Sequence, residues 1–315
     1  MFGVNMVRLH PVQDMIGLLQ SDPGTGERAL DPEALDRLDL WFSVLKEAGV
    51  YMTFSSFFPH VVTEEDGIPD ALFQELPSSG EGRSAYGFVT YVEELQEAEW
   101  AWMEALLAHT NPYTGLRYAD DPALAVVEIR NEDSVFWHSP LNTLSEGSAP
   151  NLLARLQSLW QLWLQEKYSD DTELAAAWGD GMRSDDSLEN PTPAIYGAWE
   201  MEAEGPWSGL EETARMGDFI QFLAETQADG YDHRRDQIRG TGFEGLIVST
   251  AWKAGGDAAR AANHWADTTQ DAIDRHTYAG GMVTGSHGIE LGEVHQDSHL
   301  DSPGSLLMEV AWSQA

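Results

Sequence analysis

Short apolar runs alternate with long helical patterns along most of this sequence, and that alternation limits the fold more than any other feature. Strands are predicted at residues 4–10, 50–54, 123–129 and 243–250, with a weaker fifth at residues 271–276. Helices are predicted between them; Asp31 and Pro32 mark one helix start, and residues 86–109 form another helical pattern. Strands separated by helices predict an α/β fold with a parallel sheet.

The strand–helix units favour a partial (β/α)8 TIM barrel over a nucleotide-binding fold. Residues 1–315 are predicted to form one catalytic domain of this type. Neither a Gly-x-Gly-x-x-Gly motif nor a P-loop motif follows any strand, so nucleotide binding has no support. A barrel carries its chemistry at the carboxyl ends of its strands, and candidate residues are therefore sought there.

A long segment, residues 134–206, separates the third and fourth predicted strands. It carries helical patterns at residues 152–168 and 174–178. Segments of this length inside a compact domain are commonly functional, and we predict a helical insertion on the active-site face. Four tryptophans are predicted to form its core: Trp160, Trp163, Trp178 and Trp199.

The composition excludes several kinds of partner and chemistry. With 17 basic and 53 acidic residues, the formal net charge is −36, which argues against binding to nucleic acid or to an anionic membrane. The absence of cysteine excludes thiol catalysis and cysteine-ligated zinc. A saline habitat and a GC-rich genome would each account for the acidity, and both explanations stay open.

Targeting signals are missing from the sequence. No apolar stretch is long enough to span a bilayer, and no signal-peptide pattern precedes the first predicted strand. The cellular location is therefore open, and a secreted or periplasmic parent protein is compatible with this pattern. The oligomeric state is open as well.

The candidate acid is Glu132, which follows Asn131 directly after the third predicted strand. A glutamate at such a position can act as a general acid when a partly apolar pocket raises its pKa. The neighbouring amide of Asn131 can hydrogen-bond a sugar hydroxyl. On spacing alone, the same pair also fits a solvated loop.

Other strand ends carry residues that could orient a carboxylate or hold a sugar. A guanidinium, an imidazole and a phenol can orient and ionise a carboxylate, and an indole offers an apolar face to a pyranose ring. Trp137 could line a sugar subsite or pack the insertion against the barrel. The residues at the strand ends are Arg8, His10, Ser55, Ser56, Trp252, His276 and Tyr278.

With these elements the sequence resembles the clan A retaining glycoside hydrolases, which are (β/α)8 enzymes such as cellulases, mannanases and β-galactosidases. The resemblance rests on residues 5–10 (Asn-Met-Val-Arg-Leu-His), 127–132 (Val-Glu-Ile-Arg-Asn-Glu) and 274–278 (Asp-Arg-His-Thr-Tyr). Residues 111–124 look like the lead into barrel strand four of family 5-like members. The similarity spans about barrel strands two to six, with the insertion after strand four.

The resemblance implies a role for each matching residue. Glu132 would be the acid/base and Asn131 the partner of the substrate 2-hydroxyl. Arg8 would contact the nucleophile carboxylate, and His276 and Tyr278 would orient the nucleophile or the sugar. The implied function is hydrolysis of β-linked oligo- or polysaccharides with retention, without a cofactor or a metal ion.

One element of the family pattern is not identifiable. The family nucleophile is a glutamate at the end of barrel strand seven, and no apolar strand ending in glutamate follows Tyr278. Glu290, Glu293 and Glu309 are the remaining candidates, and we expect a chain truncated at both ends. Three histidines could suggest a metal site together with two nearby aspartates: His287, His295, His299, Asp297 and Asp301. Their spacing matches no standard zinc motif, and they are predicted to lie in a solvated loop.

Two other functions stay open at this point. A carbohydrate-binding pseudoenzyme or an inactive fragment on the same scaffold would account for the missing nucleophile. A lyase or isomerase could use Glu132 as a base together with His276, and a chelator would identify a metal-dependent member of that class. The sequence leaves the sugar, the linkage and endo or exo action undetermined.

Overall fold

The computed structural model is a mixed α/β structure and describes residues 3–12, 17–21, 28–56, 60–202, 214–250, 252 and 257–274. Within these residues the strands are β1 (Met6–Leu9), β2 (Leu19–Ser21), β3 (Arg28–Leu30), β4 (Tyr51–Ser55), β5 (Val61–Val62), β6 (Ser78–Ser79), β7 (Gly82–Ser84), β8 (Leu124–Glu128) and β9 (Leu246–Val248). The α-helices are α1 (Pro32–Glu47), α2 (Asp70–Phe73), α3 (Glu93–Ala108), α4 (His138–Ser145), α5 (Pro150–Lys167), α6 (Asp171–Trp178), α7 (Ala198–Glu202), α8 (Ala214–Gly240) and α9 (Asp257–Asp267).

The central feature is a parallel sheet of four strands in the order β1-β4-β8-β9. Its register pairs Leu9 with Phe54, Ser55 with Glu128, and Glu128 with Val248. Among these four strands, each pairs with the one that follows it along the chain. Helices α1, α3 and α8 lie in the three connections between them. The carboxyl ends of the four strands therefore meet at one edge of the sheet, which confirms the predicted α/β class with a parallel sheet.

The fifth predicted strand is reduced to one parallel bridge within the described residues, between Ala272 and Val248. Asp271 holds this position: its backbone N–H donates to the Ile247 carbonyl (3.1 Å), and its carboxylate accepts from the Ile247 N–H (2.7 Å). Residues 275 and 276 of the predicted strand lie outside the described residues.

The helical pattern at residues 86–109 predicted too long a helix, because α3 begins only at Glu93. Gly87 has a φ of +76°, and a Cβ built there would lie 2.3 Å from Pro140 Cγ. This close approach needs a glycine outside helical geometry. Residues 85–92 instead form turns whose apolar side chains, such as Phe88 and Val92, are buried.

The apolar interior divides into two clusters. One surrounds the sheet, where Phe54, Val127 and Ile247 pack against residues of α1 and α3. The other is built by α4 to α6 and α8 around Trp160, which is fully buried. Both clusters contain contiguous apolar contacts, and burial of this kind supplies the main stabilisation of a domain.

The tryptophans of the 134–206 segment separate into core and surface residues. The ring of Trp160 lies 5.2 Å from that of Trp163 and 6.2 Å from that of Trp178. Trp160 and Trp178 are buried in the predicted core, and Trp163 is partly buried and packs against it. The prediction was wrong for Trp199, which is 39% exposed. Helix α7 places its ring against His138, at 4.4 Å between centroids, and not in the apolar cluster.

Across the described ranges, none of the helices combines the length and the apolar character that a membrane crossing requires.

Candidate active site

Arg8 connects three strand ends at the carboxyl edge of the sheet. Its Nη2 atom lies 2.5 Å from Glu128 Oε2, 2.8 Å from Ser55 Oγ and 2.6 Å from Asn131 Oδ1, so its two N–H groups are shared among three acceptors. His10 Nδ1 lies 2.8 Å from the same Ser55 oxygen. The structure therefore brings Arg8, His10 and Asn131 together through Ser55 and Glu128. Ser56 lies beside them and donates to the Glu128 carbonyl (3.2 Å).

Glu128 is a site residue that the sequence analysis did not single out. It is fully buried, and its Oε1 atom has no hydrogen-bond partner among the described residues. Burial raises the pKa of this carboxyl, although the Arg8 charge and Ser55 oppose that shift. The sequence signal that could have identified Glu128 is a carboxylate inside an otherwise apolar strand. A charged side chain is rarely buried there without a partner.

Glu132 has an unusual backbone conformation. Its φ is +50°, and it is the one non-glycine residue with a positive φ in the described part of the chain. A left-handed backbone costs a residue with a Cβ on the order of 1 kcal/mol and persists only where neighbouring structure holds it. The side chain is half-buried. Strained residues of this kind concentrate at functional sites.

Asp133 follows directly and is buried within the protein. Its Oδ1 atom accepts from the Gly87 N–H (2.6 Å), and its own N–H donates to Thr250 Oγ1 (3.0 Å). Burial raises the pKa of Asp133 to about 6, against the opposing effect of Arg130. The nearby hydroxyl of Tyr86 also has a raised pKa, from burial first and then from the charges of Asp133 and Glu132.

A buried ion cluster lies beneath the loop that carries these residues. Arg130 makes a two-point contact with Glu99 on α3, with distances of 2.6 and 2.7 Å, and Arg234 on α8 adds a third bond at 2.6 Å. Burial alone would raise the pKa of Glu99, but the two guanidinium groups overcome it and hold the pKa at about 2. The loop thus starts from a residue fixed to two helices.

Aromatic rings extend from Glu132 towards the insertion. Trp137 lies 3.8 Å from Trp252 and 5.2 Å from Tyr86, measured between ring centroids. The His138 ring lies 6.4 Å from that of Trp137 and packs against the Trp199 ring. Trp137 and Trp252 are both partly exposed. The exposed part of an indole ring can contact the apolar face of a sugar ring.

Several predicted site residues cannot be placed in this arrangement. His276 and Tyr278 lie outside the described residues, as do the nucleophile candidates Glu290, Glu293 and Glu309. The histidines of the 287–299 segment lie there as well. In the part of the chain that the structure covers, no group of three or more His, Asp or Glu side chains is arranged to hold a metal ion.

The fold is similar to that of solved β-galactosidases. The crystal structure of β-galactosidase from the psychrophilic Marinomonas ef1 matches 88% of this chain with a TM-score of 0.51 and 18% identity. The β-galactosidase from Bacillus circulans sp. alkalophilus matches 91% of the chain with a TM-score of 0.50 and 12% identity. This chain covers 37% of each of those two chains. No protein-family model and no curated protein sequence matches it.

Proposed function

We propose that this chain carries strands two to six of a (β/α)8 glycoside hydrolase that cleaves β-linked sugars with retention. Residues 134–206 would be a helical insertion on the active-site face of this single domain. The sequential order of parallel strands and the similarity to two β-galactosidase folds support the barrel. The observation that carries the proposed activity is the hydrogen bond from Arg8 to Asn131, which fixes the residue before Glu132.

The orientation of Asn131 follows from its partner. Arg8 has only N–H donors, so the Asn131 atom that it contacts is the side-chain oxygen. The amide NH2 group of Asn131 is then the part available to donate to a hydroxyl of the substrate. This arrangement supports the assignment of Asn131 to a sugar 2-hydroxyl, next to the bond that is cleaved.

Glu132 would act twice in the reaction. As an acid it would protonate the leaving glycosidic oxygen, and as a base it would then deprotonate the water that releases the glycosyl–enzyme intermediate. The second carboxylate of a retaining pair lies about 5–5.5 Å from the first; its position stays a prediction. Trp137 and Trp252 would supply the apolar platform for the sugar ring, and the chemistry requires no cofactor.

The substrate class is inferred from the surface that Trp137 and Trp252 form. The partly exposed indoles suit a neutral β-linked oligo- or polysaccharide. Because the two structures of similar fold are β-galactosidases, a β-galactoside is the first substrate to try. Membership of clan A, with a family 5-like arrangement, is the narrower form of this proposal. It rests on the sequence motifs around Arg8 and Glu132.

The proposal is tested with 4-nitrophenyl β-glycosides of galactose, glucose and mannose. We expect Glu132→Gln to lower kcat at least a hundredfold while binding of the sugar, followed by calorimetry, is kept. The exposed Glu104→Gln on α3 serves as the matched control and should keep full activity. Retention is read from the anomer of the methyl glycoside formed in methanol–water mixtures.

Three results would contradict the proposal. If the wild-type chain binds sugars but shows no turnover that Glu132→Gln abolishes, it is a carbohydrate-binding pseudoenzyme. Turnover that survives the substitution would show that another group is the acid. An activity lost on addition of a chelator would point to the lyase or isomerase class.

A further inference from the structure

Two amide side chains join the loop after β8 to the loop after β9. Gln227 on α8 and Asn263 on α9 are both fully buried. The Gln227 Oε1 atom accepts from the Val135 N–H (2.9 Å), and the Gln227 Nε2 atom donates to Asn263 Oδ1 (3.1 Å). The Asn263 Nδ2 atom donates in turn to the Trp252 carbonyl (3.2 Å). We call these three consecutive hydrogen bonds the amide bridge.

The two ends of the amide bridge set the direction of every bond in it. The Val135 N–H can only donate, so the Gln227 atom that it contacts is the oxygen, and the Gln227 NH2 group faces Asn263. The Trp252 carbonyl can only accept, so the Asn263 atom on it is the nitrogen. Reversing either amide would place donor against donor and acceptor against acceptor, which is costly in a buried site.

Ser134 reinforces the end of the amide bridge that lies next to Glu132. Its side chain is fully buried, and its Oγ atom lies 2.8 Å from Gln227 Oε1 and 2.6 Å from Asn263 Oδ1. Its carbonyl accepts from the Trp137 N–H (3.1 Å). The backbone that leads from Glu132 to Trp137 is therefore tied to both α8 and α9.

Trp252 lies at the other end of the amide bridge. Its N–H donates to Thr250 Oγ1 (3.3 Å), and its indole Nε1 atom has no hydrogen-bond partner among the described residues. The ring lies 3.8 Å from that of Trp137, measured between centroids. Asn263 thus ties the Trp252 backbone to a helix, and through the same amide to the loop that carries Trp137.

We propose that Asn263 is a positioning residue that holds Trp252 beside Trp137 and so shapes the aromatic platform for a sugar ring. It acts through the Trp252 carbonyl and not on the reacting atoms. Without its amide, Ser134 and Gln227 still contact each other, so the loop of Glu132 keeps an anchor while Trp252 loses one. The consequence for a sugar rests on the function proposed above, whereas the placement of the Trp252 ring does not.

The position of the ring is followed by fluorine NMR in the full chain labelled with fluorotryptophan. The signals of Trp137, Trp160 and Trp252 are assigned by their loss in single substitutions to phenylalanine. Asn263→Leu keeps the branched shape of the side chain and removes its polar atoms. In this variant we expect the signals of Trp252 and Trp137 to move, because each ring shifts the signal of the other, while the signal of Trp160 in the apolar cluster stays in place.

The matched control is Asn111→Leu. Asn111 is a buried asparagine that follows α3 and donates to the Asp39 carbonyl (2.9 Å), and its loss should leave the Trp252 signal in place. If Asn263→Leu does not fold, Asn263→Ser replaces it, because the serine side chain is too short to reach the Trp252 carbonyl. An unmoved Trp252 signal in the folded variant would overturn the proposal.

Sugar binding supplies a second readout. Calorimetry with methyl β-galactoside should show binding weakened by up to about tenfold in Asn263→Leu, the effect of one lost stacking contact. If hydrolysis occurs, KM for an aryl β-galactoside should rise by the same factor while kcat changes less. A smaller folded fraction would instead lower the apparent kcat and leave KM unchanged, which would contradict the positioning role. A moved Trp252 signal in a chain that binds no sugar would refute the proposed function and leave the placement of Trp252 by Asn263 established.

Discussion

The Nη2 atom of Arg8 lies 2.6 Å from Oδ1 of Asn131, so a residue of β1 orients the side chain that precedes Glu132. The same guanidinium also holds Glu128 and Ser55. A lysine has one compact ammonium group on a flexible stem and cannot reproduce these directions. We expect Arg8→Lys to lower kcat/KM for an aryl β-glycoside by about 10- to 100-fold, because small displacements at a reacting centre are costly.

The control for this prediction is Arg37→Lys, an exposed arginine on α1. Thermal unfolding followed by circular dichroism distinguishes misplacement from loss of structure. Arg8→Lys should unfold within a few degrees of the wild type. An Arg8→Lys protein with unaltered kinetics would show that the contact to Asn131 has no part in the reaction.

The positive φ of Glu132 leads to a prediction about stability. Glycine adopts φ = +50° without the steric penalty that any Cβ brings. Glu132→Gly should therefore be more stable than Glu132→Ala by about 1 kcal/mol, although both should lack hydrolytic activity. Urea unfolding of the two variants measures the difference. Equal stabilities would mean that the left-handed backbone is not retained in solution.

Much of this fold could be predicted from local patterns. The runs around Arg8, Thr53, Val126 and Ile247 are apolar and short, and each became a strand of one parallel sheet. Parallel strands are buried on both faces, so their sequences carry a signal that needs no knowledge of the partner strand. The cluster of Arg8, His10 and Asn131 followed from the same logic, since carboxyl ends of neighbouring strands share an edge.

Other features depended on contacts distant in sequence. The pattern around Tyr86 fits a helix, and only the approach of Pro140 to Gly87 explains the turns found there. The exposed ring of Trp199 depends on where α7 lies relative to His138. Glu128 looked like one more strand residue until Arg8 was placed beside it. No local pattern encodes such pairings, because each joins residues more than 40 positions apart.

The Glu99 cluster should contribute strongly to stability. Glu99 is fully buried between Arg130 and Arg234. Removing one partner from a buried ion pair leaves an uncompensated charge and costs about 3–5 kcal/mol. We expect Glu99→Gln to lose that amount in urea unfolding at pH 7. The exposed Glu104→Gln on the same helix should stay within about 0.5 kcal/mol of the wild type.

The pH dependence of this difference has a defined sign. The pKa of Glu99 is about 2 in the folded chain against 4.5 for an ordinary glutamate, so the unfolded state binds the proton more tightly. Its contribution is present in full above pH 4.5 and is lost as the pH falls from 4.5 towards 2. The unfolding free energies of wild type and Glu99→Gln should therefore converge between pH 4.5 and 3. A gap that stays constant over that range would contradict the ionised state of Glu99.

The insertion should influence which substrates are used. Trp199 on α7 is 39% exposed and packs against His138, which follows Trp137 directly. If Trp137 and Trp252 hold the sugar beside Glu132, the Trp199 ring lies where a further sugar unit would stack.

Loss of one such stacking contact costs about 0.5–1.5 kcal/mol, which lowers kcat/KM by up to about tenfold. We expect Trp199→Ala to lower kcat/KM for a β-linked trisaccharide by that factor and to leave an aryl monoglycoside unaffected, with exposed Trp265→Ala on α9 as the matched control. Equal losses on both substrates would place Trp199 in the support of the fold instead of in a distal subsite.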